Sequence, residues 1–349
     1  MARYRVGLIG CGRIARAHAR GYSQVASTEL VAGADPDVNQ QSAFGADFPA
    51  VRMYGGYSEM FGEEDLDLVS VCTWPPLHKE GVVAAAEHGV KGILCEKPMA
   101  LNLAQADRML EACEQHGVKL IVGHQRRFNQ RYVEAKAALD RGEIGDLLAI
   151  YATSGDTLLT CGTHTIDLIR FFVNDVPVAW VMGQIHRDSA RGPTMDFGHK
   201  VEQAAIGRIC FRNGLRALME QGEATLGGGE RWRRHWHVIL TGTRGRIEVD
   251  GDRKKEHPWP TGWRIHRFGD AGWEEHLTPN APNPFAIQIR ELVRWIEKGG
   301  EHLLSGESAR ADHEVLMAIY ESARRRCRVD FPLEVSENPF IAMIEAGEI

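Results

Sequence analysis

The chain has 349 residues, of which 44% are hydrophobic and 25% are charged. This length favours two hydrophobic cores, and this composition is typical of a globular protein rather than a disordered one. A formal charge of −6 gives no electrostatic support to a nucleic-acid partner, so we expect none. No apolar run is long enough to cross a membrane, so we expect no membrane partner and a cytoplasmic protein.

The seven cysteines form no C-x-x-C pair and mostly lie among apolar neighbours. We interpret them as reduced thiols of the core and expect no disulfide and no zinc site. Five histidines of the second half show no consistent ligand spacing, so we expect no metal site. They are His164, His186, His199, His235 and His237.

The first predicted strand is followed by the sequence GCGRIA and then by a helix-compatible run. In this G-x-G-x-x-A pattern Gly10 permits a tight turn, Gly12 lets a pyrophosphate approach the backbone, and Ala15 keeps the helix close to the strand. The helix N-terminus, with Arg13 and Ile14, then faces the anion. The pattern predicts a dinucleotide site.

A second predicted strand, ELVAGAD, ends at Asp35, about 20 residues after Gly12 as the dinucleotide motif requires. An acid at this position hydrogen-bonds the adenosine ribose and repels a 2′-phosphate, so we expect NAD as the cofactor. Arg13 and Arg16 keep NADP as an alternative. A turn or cap role for Asp35 is another alternative, although Asp37 is also placed to fill that role.

Further apolar runs follow at 66–73, 92–96 and 119–124, separated by helical stretches. Strands rich in Val, Ile and Leu that alternate with helices predict a doubly wound parallel sheet with both faces covered. We expect this cofactor domain to span residues 1–124. Ligands of such sheets bind beyond the carboxyl ends of the strands. The residues predicted to lie there are Thr73, Trp74, Pro75, Glu96, Lys97 and His124.

One of these strands, GILCE, passes directly into Lys97 and Pro98. Side chains alternate along a strand and Pro98 holds the preceding residue extended, so we expect Lys97 to point into the cofactor cleft and Glu96 to point away. A lysine in such a crevice can polarise or hydrogen-bond a substrate hydroxyl. The alternative is that both charges are solvated residues at a strand end.

The second predicted domain spans residues 125–349 and begins with the strand DLLAIYATS. Two further strands within 198–225 meet at Asn213-Gly214, a strong hairpin signal, so this sheet is at least partly antiparallel. The basic segment 231–237 alternates with tryptophans and predicts an amphipathic strand, with an anion or substrate contact as the alternative. The segments 284–300 and 309–326 show the apolar spacing of helices that face a core.

Eight motifs follow one another along the chain: IGCGRIA, GAD, CTWPPLHKE, CEKPMA, GHQRRFN, GEIGDLLAI, CGTHTIDLIRFF and GTRGRIEVD. In this order and spacing they resemble the Gfo/Idh/MocA oxidoreductases over most of the chain. The resemblance implies a Rossmann domain followed by an α/β domain with a large, open, mainly antiparallel sheet. It also implies NAD(P)-dependent oxidation or reduction of a sugar, cyclitol or related polyol. It assigns Lys97 as a catalytic residue that contacts the substrate, and we predict a cis peptide between Lys97 and Pro98.

The chain departs from the family pattern D-x-G-x-H-x-x-D at its first acid, where it has Thr160. The resemblance implies that His164 is the general acid/base at the substrate carbinol, and a buried histidine bound to a backbone carbonyl is the alternative. Asp156 is a candidate replacement acid from a nearby loop. Asp167 is expected to orient or pack rather than react.

Three further residues have weaker assignments. His78 begins a predicted helix and either approaches the cofactor or makes a local polar contact at the helix start. The ring of Trp74 can wall the nicotinamide or the substrate. Arg127 lies at the crossing between the domains, where a salt bridge is the alternative to a functional contact.

The sequence therefore predicts an NAD(H)-dependent dehydrogenase or reductase whose small-molecule partner is a sugar or polyol. One alternative is a glycosidase or lyase that uses tightly held NAD in a transient redox cycle. Another is a nucleotide-binding sensor without catalysis. Apolar strands on an open sheet also predict a homodimer or homotetramer.

Overall fold

The computed structural model describes residues 3–188, 194–222, 236–250, 262–278 and 282–349. The chain divides into two compact units, Met1–Gln125 with Pro282–Ala311 and Arg126–Ala281 with Asp312–Ile349. The first boundary lies one residue from the predicted end of the cofactor domain. The segment 282–311, which the prediction placed in the second domain, belongs to the first unit. Assignment of the two units to cofactor and substrate stays a prediction.

Among its described residues, the first unit contains six strands and six complete helices. Their bounds are β1 Tyr4–Ile9, α1 Arg13–Tyr22, β2 Thr28–Ala34, α2 Val38–Asp47, β3 Arg52–Tyr54, α3 Tyr57–Glu63, β4 Leu68–Val71, α4 His78–His88, β5 Gly92–Cys95, α5 Leu103–His116, β6 Lys119–Val122 and α8 Pro284–Lys298.

The six strands form one parallel sheet in the order β3-β2-β1-β4-β5-β6. Strands β4 and β5 are buried along their whole length, as expected of a parallel sheet with both faces covered. The predicted doubly wound sheet is therefore confirmed.

Helix α8 belongs to the first unit because it packs on α1. A Cβ atom at Gly21 of α1 would lie 3.0 Å from Ile289 Cδ1 and 3.1 Å from Phe285 Cβ, so glycine allows the close approach. Ile289 and Leu292 are fully buried, which confirms the predicted apolar face of this helix.

The second unit contains eleven strands and three complete helices within the described residues, and α9 passes into it from the first unit. Their bounds are α6 Gln130–Asp140, β7 Leu147–Ser154, α7 Thr163–Phe172, β8 Val178–His186, β9 Met195–Asp196, β10 His199–Lys200, β11 Ala204–Phe211, β12 Arg216–Gly222, β13 His237–Gly242, β14 Gly245–Val249, β15 Gly262–Arg267, β16 Glu274–Leu277, α9 Gly306–Arg325, β17 Val329–Asp330 and α10 Pro339–Glu345.

Nine of these strands form a sheet in the order β16-β15-β14-β13-β7-β12-β11-β8-β17. Strands β7 and β12 pair in parallel, and the other pairings in the described part of this sheet are antiparallel. The predicted hairpin joins β11 to β12, with Gly214 at φ +86°. Of the predicted strand 231–237, residues 231–235 lie outside the described residues and β13 begins at His237.

Two observations bear on the predictions from composition. All seven cysteines carry free thiols, and five of them are buried. Across the described ranges, no helix combines the length and the apolarity that crossing a lipid bilayer requires.

Two glycines on neighbouring strands make the notch into which α9 packs. Gly183 of β8 lies directly opposite Gly207 of β11, and Ile319 of α9 covers both. A Cβ atom at Gly183 would lie 2.6 Å from the Ile319 carbonyl oxygen and 2.9 Å from its Cα. At Gly207 the nearest atom, at 2.6 Å, would be the terminal Cδ1 of the same side chain. A Cβ atom would therefore clash with the helix backbone at Gly183 but with a side chain at Gly207.

We predict that Gly183→Ala lowers the free energy of unfolding by about 2–3 kcal/mol and that Gly207→Ala lowers it less, because a side chain yields more easily than a helix backbone. Adding Ile319→Val, which removes Cδ1, should restore part of the loss in Gly207→Ala but none in Gly183→Ala. Urea unfolding measures both pairs. Equal losses, or equal recovery in both pairs, would contradict this packing.

Candidate functional site

The loop that follows β1 packs directly on the loop that follows β4. Gly10 has φ +86°, and a Cβ atom there would lie 3.0 Å from the backbone of Cys72 and of Thr73. A residue with a side chain would be strained in this conformation and would also collide with the neighbouring strand end. Glycine is therefore required here by the protein's own backbone.

At Gly12, no contact among the described residues requires a glycine. Gly12 caps the N-terminus of α1, and a Cβ atom there would meet no atom within 4 Å. The first turn of α1 contains no acidic residue, and no side chain caps it. Its backbone N–H groups are accordingly open to an anion from outside, and the positive end of the helix dipole favours one. Arg13 is exposed and Ile14 is half-buried beside this opening.

Asp35 joins the end of β2 to the glycine loop. Its carboxylate accepts hydrogen bonds from the backbone N–H of Cys11 at 2.8 Å and of Asp37 at 2.9 Å. Asp37 accepts from Asn39 N at 2.9 Å and caps α2, so the cap role belongs to Asp37. Each carboxylate oxygen of Asp35 has a further lone pair that can accept from a ribose hydroxyl.

The loop after β4 carries three predicted site residues. Pro75 begins a 3₁₀ turn, Pro75–Leu77. The side chain of Trp74 is 61% exposed, so its ring is available to a flat ligand. The hydroxyl of Thr73 is buried, and no residue in the described part of the chain hydrogen-bonds it.

His78 ties this loop to the segment after β5. The imidazole is fully buried, with Nε2 3.0 Å from the Thr73 carbonyl oxygen and Nδ1 2.8 Å from the Pro98 carbonyl oxygen. Burial lowers the pKa of His78, and the two backbone hydrogen bonds oppose that shift. The structure thus gives this histidine a local backbone contact, and its approach to a cofactor stays a prediction.

A second buried histidine, which the sequence analysis missed, holds Glu96. His18 of α1 donates from Nε2 to Glu96 Oε1 at 2.8 Å. Its Nδ1 lies 3.2 Å from the hydroxyl of Ser70, which lies 2.7 Å from the Tyr22 hydroxyl. His18 sits among Ala15 and Ala19 on the buried side of α1, so a polar residue at helical spacing within an apolar face was the available signal.

Glu96 is an ionised carboxylate directly before Lys97. Burial raises the pKa of Glu96, but the hydrogen bond and the charge of His18, followed by the charge of Lys97, outweigh it and hold the pKa below its usual value. A negative charge therefore stays inside the unit at the end of β5.

Lys97 is half-buried and followed by a cis peptide to Pro98, which confirms that prediction. On one side His18 binds Glu96, and on the other side His78 contacts the carbonyl of Pro98. The backbone on both sides of Lys97 is thus fixed by a buried imidazole.

In the second unit, a π-helical turn, Leu158–Gly162, leads into α7. Turns of this kind are rare and often occur at functional sites. The turn begins at Leu158 N, which donates to the buried carboxylate of Glu202 at 2.7 Å. The second oxygen of Glu202 accepts from the Tyr320 hydroxyl at 2.6 Å. A buried acid thus fixes the start of the turn that precedes His164.

His164 is buried at the beginning of α7, with its ring edge-on to Trp236 at a centroid distance of 5.6 Å and an interplanar angle of 89°. The indole N–H of Trp236 donates to the Cys161 carbonyl at 3.1 Å. The guanidinium of Arg126 lies over the same indole ring. Trp236 belongs to the predicted strand 231–237 but precedes β13, and the sequence analysis did not connect it with His164.

Thr160 donates its hydroxyl hydrogen to Asp196 of β9 and accepts from the Thr157 hydroxyl at 3.0 Å. Asp156, the predicted replacement acid, accepts from the Cys161 thiol at 3.4 Å. The acid that lies beside Thr160 is therefore Asp196, which the sequence analysis missed because it is distant in the chain.

Arg127 and Asp167 form a buried ion pair. Arg127 Nε donates to Asp167 at 2.6 Å, and its terminal nitrogens donate to Asp175 at 2.7 and 2.8 Å. Burial raises the pKa of Asp167; the charge of Arg127 opposes this shift and the neighbouring carboxylate of Asp312 adds to it. These contacts agree with an orienting or packing role for Asp167, and they give Arg127 a salt bridge within the second unit.

Each unit therefore brings together some of the predicted residues. In the first, the carboxyl ends of four parallel strands place the glycine loop, Asp35, Thr73 and Lys97 along one edge of the sheet. In the second, Thr160 and His164 share the π-helical turn and the start of α7.

Two family models match the chain. The GFO_IDH_MocA model, an oxidoreductase family with an NAD-binding Rossmann fold, matches residues 4–124. The model of the C-terminal α/β domain of the same oxidoreductases matches residues 149–331.

Two relatives named as sugar or cyclitol dehydrogenases match along most of their length. The chain is 26% identical over 377 residues to D-apiose dehydrogenase of Paraburkholderia graminis, with 99% of this chain and 95% of the relative covered. It is 26% identical over 323 residues to myo-inositol 2-dehydrogenase of Thermotoga maritima, with 88% and 92% covered.

A solved structure has the same fold. It is an oxidoreductase from Agrobacterium radiobacter in complex with NAD+, L-tartaric acid and magnesium, with a TM-score of 0.78 and 23% identity. The match covers 94% of this chain and 98% of that chain.

We predict that His18→Leu lowers the free energy of unfolding by about 3 kcal/mol near neutral pH, because it leaves the charge of Glu96 buried without its partner. The deficit should shrink as the pH falls towards the ordinary range of glutamate. In the variant, burial raises the folded pKa of Glu96, so folding takes up a proton and acid favours it. In the wild type the folded pKa is lowered, so its contribution is lost in acid.

Urea unfolding at about pH 7.5 and about pH 5 measures this deficit, since the lower pH approaches the range in which carboxyl groups take up a proton. His116→Leu, at an exposed histidine in the last turn of α5, is the matched control. A deficit for His18→Leu that is the same at both pH values would contradict the assignment of Glu96 as a buried charge.

Proposed function

Because the chain belongs to the Gfo/Idh/MocA family of NAD-binding oxidoreductases, we propose that it transfers hydride between NAD and a carbon atom of a sugar, a cyclitol or a related polyol. Relatives named as dehydrogenases of D-apiose and myo-inositol support this substrate class. A cytoplasmic location stays a prediction.

The residues of the first unit fit the cofactor. The open N-terminus of α1 at Gly12, beside Gly10, Arg13 and Ile14, suits the pyrophosphate. The carboxylate of Asp35 suits the ribose hydroxyls and disfavours a 2′-phosphate, so we propose NAD rather than NADP. When bound, NAD supplies or accepts the hydride.

We assign six further cofactor contacts to the ends of the next two strands. Four come from the segment between β4 and the start of α4, and the exposed indole of Trp74 is the one placed to pack on a flat ring. The other two come from the segment after β5. The residues of this set are Thr73, Trp74, Pro75, His78, Glu96 and Lys97.

Lys97 and His164 handle the hydroxyl proton of the substrate. An ammonium donates to the oxygen and stabilises negative charge on it, and an imidazole accepts or returns a proton near neutral pH. Substrate contacts come from Lys97, Trp74 and His164, with Asp156 and Thr160 as two further polar contacts. None of these roles uses a bound metal.

One observation carries this proposal: the segment Glu96-Lys97-Pro98 is held rigid at the same sheet edge as the glycine loop. A lysine at a mere solvated strand end needs no such support. Here two buried histidines, His18 and His78, limit its backbone on both sides, which is the pre-organisation that proton transfer requires.

The test is a panel of sugars, cyclitols and related polyols offered with NAD or with NADP, while absorbance of the reduced cofactor is followed. We expect turnover with NAD for at least one polyol. Lys97→Ala should lower kcat by at least about 100-fold, the usual scale for loss of a group active in proton transfer, and should lower the affinity for NAD much less.

Lys91→Ala is the matched control, since Lys91 precedes β5 and pairs with Asp67. A Lys97→Ala protein that oxidises a confirmed substrate at the normal rate would overturn the assignment. Product without net NADH would instead support the glycosidase or lyase alternative, which the replacement of the family acid by Thr160 keeps open. NAD binding without any turnover would support the sensor.

We also propose a homodimer or homotetramer. Met182 of β8 and Ile206 of β11 are exposed on neighbouring strands of the nine-stranded sheet, and such apolar side chains are commonly covered by a second copy. Light scattering decides this, and a monomer at working concentration would reject it.

A further inference from the structure

The hydroxyl of Thr160 has a fixed orientation. It accepts from the Thr157 hydroxyl at 3.0 Å, and its own hydrogen goes to a carboxylate oxygen of Asp196. A threonine hydroxyl has a single hydrogen to give. Thr160 therefore cannot donate to a substrate while this contact holds, and it aims the carboxylate of Asp196 instead.

Asp196 lies on a short β-hairpin whose tight turn fixes its backbone. Strands β9 and β10 pair Asp196 with His199, and the two residues between them, Phe197 and Gly198, both have positive φ, at 39° and 81°. Two consecutive positive φ values are the geometry of a tight two-residue hairpin turn. The hairpin thus holds Asp196 beside the π-helical turn that leads to His164.

The second carboxylate oxygen of Asp196 remains available. Among the residues that the structure describes, its side chain pairs with the Thr160 hydroxyl and with no lysine or arginine. A half-buried carboxylate with one neutral donor has acceptor capacity left for another O–H group. A polyol substrate carries such groups on the carbons next to the one that reacts.

We propose that Asp196 is a specificity-determining residue that accepts a hydrogen bond from a substrate hydroxyl neighbouring the oxidised carbon. Thr160 acts as its positioning residue. The inference rests on the proposed polyol oxidation, since it assigns a partner to a hydroxyl of that substrate. The acid that contacts the substrate is then Asp196 of the hairpin. Thr160 occupies the first acidic position of the family pattern D-x-G-x-H-x-x-D.

Asp156 is the competing acid, and its contacts favour it less. Asp156 accepts from the thiol of Cys161, which is a weak hydrogen-bond donor. Cys161 follows Thr160 in the π-helical turn. The structure shows no contact of Asp156 with the Thr160 hydroxyl, whereas Asp196 takes that hydrogen. The carboxylate coupled to the motif position is therefore the one from the hairpin.

The test compares a polyol that the wild type oxidises with its analogue that lacks the neighbouring hydroxyl. Asp196→Ala should lower kcat/KM for the full substrate by about 10- to 100-fold, the usual effect of losing a hydrogen bond to a charged group, and should barely change it for the deoxy analogue. A purely structural role would lower both equally. Calorimetry of polyol binding to the protein loaded with NADH, which cannot accept a hydride, should show the same difference without turnover.

A double variant that moves the carboxylate from position 196 to position 160 gives the most specific test. Thr160→Asp with Asp196→Ala returns a carboxylate to position 160 and should recover at least part of the lost discrimination. Met195→Ala on the same strand, whose side chain points to the other face, is the control and should behave as wild type. If Asp196→Ala unfolds early, Asp196→Asn, which still accepts from Thr160, replaces it and should lose about 10-fold in kcat/KM, since an amide is a weaker acceptor than a carboxylate.

The outcomes distinguish a failure of this inference from a failure of the proposed polyol oxidation. If the wild type oxidises polyols and the Asp196 variants keep its selectivity, the inference is wrong and the proposed function stands. If the wild type neither binds nor oxidises any polyol of the panel, both fail. Loss of selectivity with recovery on relocation supports both.

Discussion

The hydrogen bond between His18 and the buried carboxylate of Glu96 is the contact on which the first unit's site depends. It joins the helix that carries the glycine loop to the strand that ends in Lys97. A buried charge without a partner is costly, so this pair constrains where α1 and β5 lie relative to each other. His78 adds the corresponding constraint from the other side by contacting Pro98. The position of Lys97 is thus constrained by the buried groups on both sides of it.

The second unit uses the same principle with different groups. The buried acid Glu202 holds the first N–H of the π-helical turn, and the indole of Trp236 holds its Cys161 carbonyl. His164 packs edge-on against that indole. Inside the turn, Cys161 N and Gly162 N both donate to the Thr157 carbonyl, and the two buried partners satisfy backbone groups at its ends. His164 again stands on backbone that other residues fix.

The sequence predicted the parts that are local in the chain. Apolar runs identified five of the six strands of the parallel sheet, all but the three-residue β3, and the Lys97–Pro98 pair identified the cis peptide. It did not predict His18 with Glu96 or Asp196 with Thr160, because these contacts join residues far apart in the chain and depend on the packing of whole elements. Helix α8 is a further example. Its apolar face was evident from the sequence, but its packing on α1 uses the close approach at Gly21, which the sequence does not reveal.

Hydride transfer from a substrate carbon is the central claim, and isotope transfer tests it most directly. The protein is incubated with NAD and a polyol that carries deuterium on the carbon to be oxidised, and the mass of the nicotinamide product is measured. The account predicts reduced cofactor that contains the deuterium, together with an oxidised sugar. Product that keeps its deuterium while the cofactor stays oxidised would contradict it.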